Sequence, residues 1–525
     1  MPHPDLILLN ARLLDPATGQ FQPHSSLATH SGQIFAVGDD TDVRATVGPA
    51  TTVLDLRGAV VIPGLIDGHC HPVSGADLTR GTDLSHCTDL AGLRAELHRA
   101  RRALAPGEWL HGWGLDPNIF GDQPISADTV GPVLDDVPAV LRLFDAHSTL
   151  ASHRALELAG VTGPRRFDEA AEIVCDERGR PTGLLLEEPA SMLVEEAAPK
   201  LSEQQFRARV AEVLRGMAAS GLTGGHMMEG DPAERSVLRA LDERGDLPLR
   251  LRLAPWCRPG NDVAELIAAQ GEGGVMWRVG GVKLFMDGTI DNGTAWLEQP
   301  DCHGESTHPY WGDPAVYTET VVALDTAGVP TATHAIGDAA VRHVLDSLAK
   351  CRPIGHRVEH IETLPDDLVS RFAELGVTAS MQPTHCCEFT RADHTDNWSR
   401  RLGEQRAARA WRCRDLWDAG ANVVLGSDWP IAPYSPLGVM AGARHRRPAR
   451  DLSQPPHGLD QALTALRALQ GMTINAGSGR LVAGERADLT VLADDPLRVA
   501  DTDLATLPVR LTVADGRITH RAADV

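Results

Sequence analysis

Positive charge is scarce in this 525-residue chain: 49 Lys and Arg stand against 71 Asp and Glu, a formal net charge of −22. A nucleic-acid binder needs a basic surface to neutralise phosphates, so that class is excluded. Long apolar runs are missing too. No stretch approaches the roughly 20 apolar residues that span a bilayer, and no membrane partner is expected. None of the nine cysteines forms a Cys-x-x-Cys pair. That pattern points to reduced thiols, not a disulfide framework. The opening MPHPDLILLNARLLDP lacks a basic segment, and its apolar run is too short for a signal peptide. A cytoplasmic location is the expectation. There is no short internal repeat and no low-complexity tract.

What is present is an ordinary globular composition, 42% hydrophobic and 23% charged, long enough for a large core or two domains. Both ends read as β-rich. Strand candidates lie at 5–14, 32–38, 53–56 and 59–62, and again at 487–492, 509–513 and 517–520, the last pair joined by the turn Asp515-Gly516. The middle alternates strand and helix. Strands are expected at 329–334, 356–361, 377–381 and 423–425. Helices are expected from Ala339 with Asp338 as cap, from Pro365, and over 405–418. This alternation predicts an α/β fold, a distorted (β/α)8 barrel with its chemistry at the strand C-terminal ends. The two chain ends, 1–60 and 478–525, would pair into a small β-sandwich beside a barrel over 61–477. Residues from about 106 to 200 fit the barrel repeat poorly and read as an insertion.

The strongest local signal is the run VIPGLIDGHCH ending at His69 and His71. Positions i and i+2 of a strand face the same way, so both imidazoles enter one space while Cys70 points away. Imidazole is a common metal ligand. His-x-His alone also arises by chance. His334, His360 and Asp428 each terminate an apolar β-run, and their joint placement favours a metal site over satisfied core residues. Lys283 sits in the apolar run RVGGVKLFM. Two readings are open: a side chain snorkelling to the rim, or a neutral amine that reacts with carbon dioxide to give a carbamate. Among other residues, Trp113 and Asp116 either line a pocket or build a turn on Gly112 and Gly114. His147, in Asp-Ala-His-Ser, and His385 are candidate substrate contacts. His226 is a pocket residue or a core histidine. Phe285, Met286, Trp296, Trp429, Met227 and Met228 follow strand ends, where a pocket mouth should form.

Beyond these features, the chain resembles the amidohydrolase superfamily, and specifically the YtcJ-like branch of amidohydrolase family 3. The resemblance rests on PGLIDGHCH (63–71), HGWGLD (111–116), VKLFMDGT (282–289), THAIGDAA (333–340), RVEHIE (357–362), SMQPTH (380–385), GSDWP (426–430) and GERADLTVLADDP (484–496). It implies a barrel with a β-sandwich and a divalent cofactor, zinc expected, with one or two ions per chain. His69 and His71 would bind one ion together with Asp428, and His334 and His360 a second. Lys283, N6-carboxylated, would be the bridge. Asp428 would be the catalytic base. Trp113, Asp116, His147, Asp287, His385 and Trp429 would contact substrate. Two departures bear on the substrate and not on the ligand set. Asp291-Asn292-Gly293 stands where the branch commonly has Gly-Ser-Arg. The segment 221–228 stands where relatives usually carry an acidic residue after Thr-Ser-Val.

The expected activity is hydrolysis of a non-peptide carbon–nitrogen bond in a neutral small molecule, such as an N-substituted formamide; relatives of this kind include deformylases. Hydrolysis of an ester, lactone or cyclic amide on the same fold is one alternative. A non-catalytic binding protein that kept the scaffold is another. The partner expected is a small-molecule substrate, and a homodimer is entertained.

Overall fold

A computed structural model of the chain describes residues 3–167, 171–449, 451–500 and 502–523. Helices and strands mix throughout, and the described residues form five sheets. No helix among them is long and apolar enough to cross a membrane.

Two of the sheets are wholly parallel. One runs Trp277–Val279, Arg250–Leu253, Leu222–Met227, Leu65–Cys70. The other runs Val282–Phe285, Thr331–Ala335, Arg357–His360, Thr378–Met381, Val423–Leu425. Isolated parallel bridges link the two sheets: Cys70, on the edge strand Leu65–Cys70, pairs with Trp429, and Trp256, just past Arg250–Leu253, pairs with Lys283. Helices Pro314–Thr326, Asp338–Leu348 and Asp366–Leu375 connect successive strands of the second sheet. The first of them starts where Asp313 accepts a hydrogen bond from Ala315 N at 2.9 Å and Pro314 fills the first turn, whose N–H would have no partner anyway.

The chain ends meet in a six-stranded sheet. Val60–Pro63 lies between Arg12–Asp15 and Leu489–Leu492, and Val509–Ala514 and Arg517–Arg521 extend it. A four-stranded sheet of Gln33–Gly38, Ser26–His30, Leu6–Leu9 and Thr52–Asp55 shares a buried cluster with it that includes Leu8, Leu27, Val61 and Val491. A third non-parallel assembly, six strands between Thr82 and Leu186, has buried clusters of its own.

Several expected elements differ in detail. The strand foreseen at 5–14 is two strands, broken where Asn10 takes a φ of 51°. The apolar run around Lys283 is also two strands, in different sheets, separated at Gly280-Gly281. The helix near Asp338 is capped by Gly337, because the Asp338 carboxylate is taken by Glu298 N at 2.8 Å. The helix expected over 405–418 is interrupted between Glu404–Ala407 and Cys413–Asp418. Trp411 there has a φ of 40° and donates its N–H to Glu362 O at 2.9 Å. The backbone carbonyls freed by the break are taken by Arg446. This wholly buried guanidinium reaches Ala410 O at 3.1 Å, Trp411 O at 3.3 Å and His457 O at 3.0 Å.

Arg446→Met should therefore strip the carbonyls of Ala410 and His457 of their donor and leave Trp411 O with Cys413 N alone. A loss of about 3 kcal/mol is expected, since each unsatisfied buried group costs roughly 1–3 kcal/mol and relaxation recovers part of it. A denaturant midpoint unchanged from the parent would refute this assignment.

Candidate metal centre

The C-terminal ends of the parallel strands converge on one point. His69 and Cys70 close the strand Leu65–Cys70, and His71 follows it. Lys283, His334 and His360 lie at or near the ends of three neighbouring strands, and Asp428 lies three residues past Leu425. Ring centroids of His69 and His360 are 4.8 Å apart, His334 and His360 4.5 Å, and His69 and His71 5.3 Å. A cavity of about 490 Å³ opens onto this cluster, and His71, Lys283, His334, His360 and Asp428 are in its wall. His69 lies just behind, with no exposed surface.

Two ligand candidates need unusual backbone. A regular strand would carry His360 to the face opposite Glu359. His360 and the following Ile361 instead take φ values of 76° and 51°, which breaks the alternation. Asp428 has a φ of 56°. Left-handed backbone at non-glycine residues concentrates at functional sites. Glycine at 426 allows the close approach that precedes it, because a Cβ there would meet His69 N at 2.5 Å.

Asp428 is the hub. Its Oδ1 lies 3.2 Å from His69 Nε2 and 3.3 Å from His71 Nε2, and its Oδ2 is 3.8 Å from His360 Nδ1 and 3.7 Å from His385 Nε2. The first two separations exceed the 2.7–2.9 Å of a charge-assisted hydrogen bond. They match the edge of a tetrahedron with arms of about 2.0 Å, roughly 3.3 Å, which is the spacing of two ligands on one zinc-like ion. The ligand atoms of His69, His360 and Asp428 all fall within 4.8 Å of one another. Two buried ring nitrogens, His69 Nε2 and His385 Nε2, make no hydrogen bond of ordinary geometry.

The protonation states suit a cation. Burial holds the His334 and His360 imidazoles well below their ordinary range, helped by Lys283 near the first and His334 near the second. Both are therefore neutral, as ligands must be. Burial opposes the charge of Asp428, yet His69 and His71 keep its carboxyl well below the usual range. For His71, burial is outweighed by Asp428 and Glu229, and its pKa rises to about 9. A proton there does the work a metal cation would do. Burial draws Lys283 down to about 8 against the pull of Glu359 and Asp428. The donor set of imidazoles and a carboxylate, with a lysine amine beside it, fits a divalent ion of the zinc type.

The expected substrate contacts divide. His147, Asp287 and His385 line the cavity. His147 Nδ1 is 2.8 Å from Glu187 Oε2, and its ring is 5.7 Å from that of His334. Asp287 accepts backbone N–H groups of Trp296, Ile336 and Gly337 at 2.8–3.0 Å, and burial still lifts it to about 7. Trp113, Asp116 and Trp429 do not line the cavity. Trp113 belongs to the strand Leu110–Leu115, where it pairs with Asp83, and the Asp116 carboxylate caps the following turn by accepting from Asn118 N at 2.8 Å. The Trp429 ring packs over Gly75 and lies 5.8 Å from Tyr434. Of the residues foreseen at the mouth, only Phe285 is in the wall; Met227, Met228, Met286 and Trp296 pack elsewhere. Phe144, Phe389, Trp256 and Tyr310 supply its aromatic surface instead. His226 partners Arg357 and behaves as a core residue.

Sequence reasoning missed the braces. Glu359 accepts from His69 Nδ1 at 2.6 Å and from Arg357 Nε at 2.8 Å, and Arg357 also reaches Gly68 O at 2.6 Å and Ser380 Oγ at 2.8 Å. Asp67 accepts from His69 N at 3.1 Å and from Ser427 N at 2.9 Å, tying the two ligand segments together. Glu229 lies 3.6 Å from His71 Nδ1 and accepts from Val73 N at 2.8 Å. The period-2 rule that selected His69 and His71 also selects Asp67, and Arg357 and Glu359 sit two apart inside RVEHIE. Glu229 had no such signal.

The fold and this cluster define an enzyme class. The chain belongs to the amidohydrolase family, whose sequence profile matches residues 52–520. It is 27% identical over 493 residues to the YtcJ protein of Bacillus subtilis (strain 168), covering 90% of this chain and 91% of that one. It is 28% identical over 549 residues to the N-substituted formamide deformylase of Arthrobacter pascens, covering 98% and 97%. In fold it is similar to an uncharacterized metal-dependent hydrolase from Pyrococcus horikoshii OT3, with a TM-score of 0.73 at 22% identity over 94% of this chain and 99% of that one.

Glu359→Gln should weaken retention of a divalent ion by roughly 10–100-fold, the usual effect of losing a carboxylate behind a ligating histidine. Competition with a graded series of chelators measures it. Unaltered retention would remove Glu359 from the support of His69.

Proposed function

We propose that the chain is a metal-dependent hydrolase of a non-peptide carbon–nitrogen bond, acting on a neutral N-substituted formamide or short acyl amide. The observation that carries the reading is the ring of imidazoles around the ionised, buried Asp428, at spacings that suit ligands better than hydrogen bonds. His69, His71, His334, His360 and Asp428 would hold zinc or a similar ion, one or two per chain. When bound, such an ion supplies Lewis acidity and makes water acidic enough to be deprotonated near neutral pH.

The chain's own residues supply the rest. Asp428 is ionised and faces the cavity, so it can take a proton from water and pass it to the leaving nitrogen. Arg357 and Glu359 hold His69 in one tautomer, with Nδ1 donating and Nε2 directed at the ligand cluster. His147, steadied by Glu187, and Asp287 and His385 offer polar contacts to the substrate. Lys283, drawn toward its neutral form, is suited to carboxylation, which would add two anionic oxygens to the donor set.

The two parallel sheets are read together as one (β/α)8 barrel over 61–477, supported by the two bridges between them. The sheets of the chain ends are read as a β-sandwich of 1–60 with 478–525. The separate sheet between Thr82 and Leu186 supports an insertion, and its wall residues Phe144, Asp145 and His147 give that insertion a share in the site.

The neutral-amide reading has two supports. The Arthrobacter pascens relative carries its name from N-substituted formamides. The cavity wall has ten Asp or Glu side chains against three Lys or Arg, which disfavours anionic substrates, and aromatic side chains suit an apolar substituent. Metal-replete enzyme is expected to give higher kcat/KM for N-alkyl or N-arylalkyl formamides than for esters, nucleobases or dipeptides. Preference for a nucleobase or a charged dipeptide would sink the substrate assignment and leave the metal assignment standing.

Asp428→Asn should lower kcat by about 10²–10⁴-fold when compared at equal metal content. In the same metal-replete preparations, a carbon-13 carbamate resonance after bicarbonate labelling is expected from the parent and not from Lys283→Ala. Its absence in a fully loaded parent would favour a single-ion site without carboxylation.

A further inference from the structure

We propose that a second chamber behind the catalytic cavity is the exit path for the carboxylate product. The proposal rests on the carbon–nitrogen hydrolysis read above. The chamber has a volume of about 460 Å³. It lies between helix Ser74–Leu78, strand Ala139–Leu143 and the segment joining helices Glu188–Glu195 and Glu203–Ala219.

The two spaces are neighbours. Asp77, Leu78, Arg142, Met192 and Glu195 belong to the walls of both. The partition is built from residues of helix Ser74–Leu78, strand Ala139–Leu143 and helix Glu188–Glu195. Its polar element is one ion pair, Arg142 to Glu195 at 2.6 Å, with each side chain 15% exposed. Its apolar element includes Met192, an unbranched side chain that changes shape readily.

Charge separates the routes. At neutral pH the reaction is RC(O)NHR′ + H₂O → RCOO⁻ + R′NH₃⁺. The carbon–nitrogen bond breaks, the water oxygen bonds to the acyl carbon, and the nitrogen leaves with the protons. The products have opposite charge. The catalytic cavity, with ten acidic side chains against three basic ones, attracts the ammonium and repels the carboxylate. In the second chamber the count is four against three. Arg142 stands at the partition, and Arg80 and Lys200 line the second chamber and not the first. Lys200 is exposed, so the chamber meets solvent there. The carboxylate thus meets a much smaller excess of negative charge along this path than along the other.

The test uses the full, metal-loaded chain with a neutral N-substituted formamide. Leu201→Trp narrows the chamber, and Lys200→Glu reverses the charge at its outlet. Neither residue belongs to the metal cluster. Both variants are expected to lose about fivefold or more in steady-state kcat, with single-turnover rates within about twofold of the parent, because release and not chemistry is slowed. Lys200 is a surface residue, so its variant reports even where Leu201→Trp folds poorly. Unchanged kcat in a folded variant overturns the exit path. Single-turnover rates that fall in step with kcat also overturn it, since the chamber would then hold substrate. A parent with no hydrolysis overturns the functional reading together with the path, whereas normal hydrolysis with unchanged variants overturns the path alone.

Discussion

A carboxylate with no exposed surface, Glu359, stands between Arg357 and His69, and the geometry of the metal cluster depends on that contact. Burying three ionisable groups in a protein interior is expensive unless each charge has a partner of good geometry. Here the partners also fix function. The hydrogen bond from His69 Nδ1 leaves Nε2 as the free nitrogen, and the second arm of Arg357 fastens the strand Leu65–Cys70 of the other parallel sheet through Gly68 O. Removing Glu359 leaves His69 Nδ1 and Arg357 Nε buried without their shared acceptor. The arrangement is therefore rigid for the same reason that it is costly, and a rigid donor set suits an ion with fixed coordination distances.

The candidate ligand residues were legible in the sequence because His69, His334, His360 and Asp428 lie at or just past the end of an apolar run, and strand ends are where parallel α/β folds present their chemistry. His69 and His71 followed from the two-residue period alone. His360 did not follow from that period, since its inward aim requires left-handed backbone that no local pattern announces. The same limit applies to the cavity wall. Trp429 and Met286 follow ligand-bearing segments directly, yet a chain that has just left a strand can turn its next side chain into the core, as both do. The aromatic wall comes instead from Phe144, Trp256 and Phe389, which are distant in sequence from any ligand. Packing between elements decides such positions, and one sequence records little of it.

The sheet between Thr82 and Leu186 reads as an irregular stretch in sequence, since its strands are short and their pairings mix parallel with antiparallel. Its contribution is nonetheless specific. It brings His147 and its Glu187 brace to face His334, while the parallel strands supply the candidate ligands. Division of this kind separates tolerance from constraint: one unit can vary to suit a substrate while the other keeps a fixed set of donors.

The sheet shared by the chain ends has a kinetic meaning. Val60–Pro63 leads into the strand that carries His69, and its partner is Leu489–Leu492. Leu65 N also donates to Thr490 Oγ1 across 425 positions. On the ribosome, the segment bearing the first histidines emerges long before the strand that clamps it. A nascent chain must hold an unpaired, strongly apolar edge through most of its synthesis, a state that favours association with other chains and with chaperones. The cluster at the far end of that strand can settle only once the clamp arrives, so under the metal reading proposed above ion capture belongs to the last stage of folding.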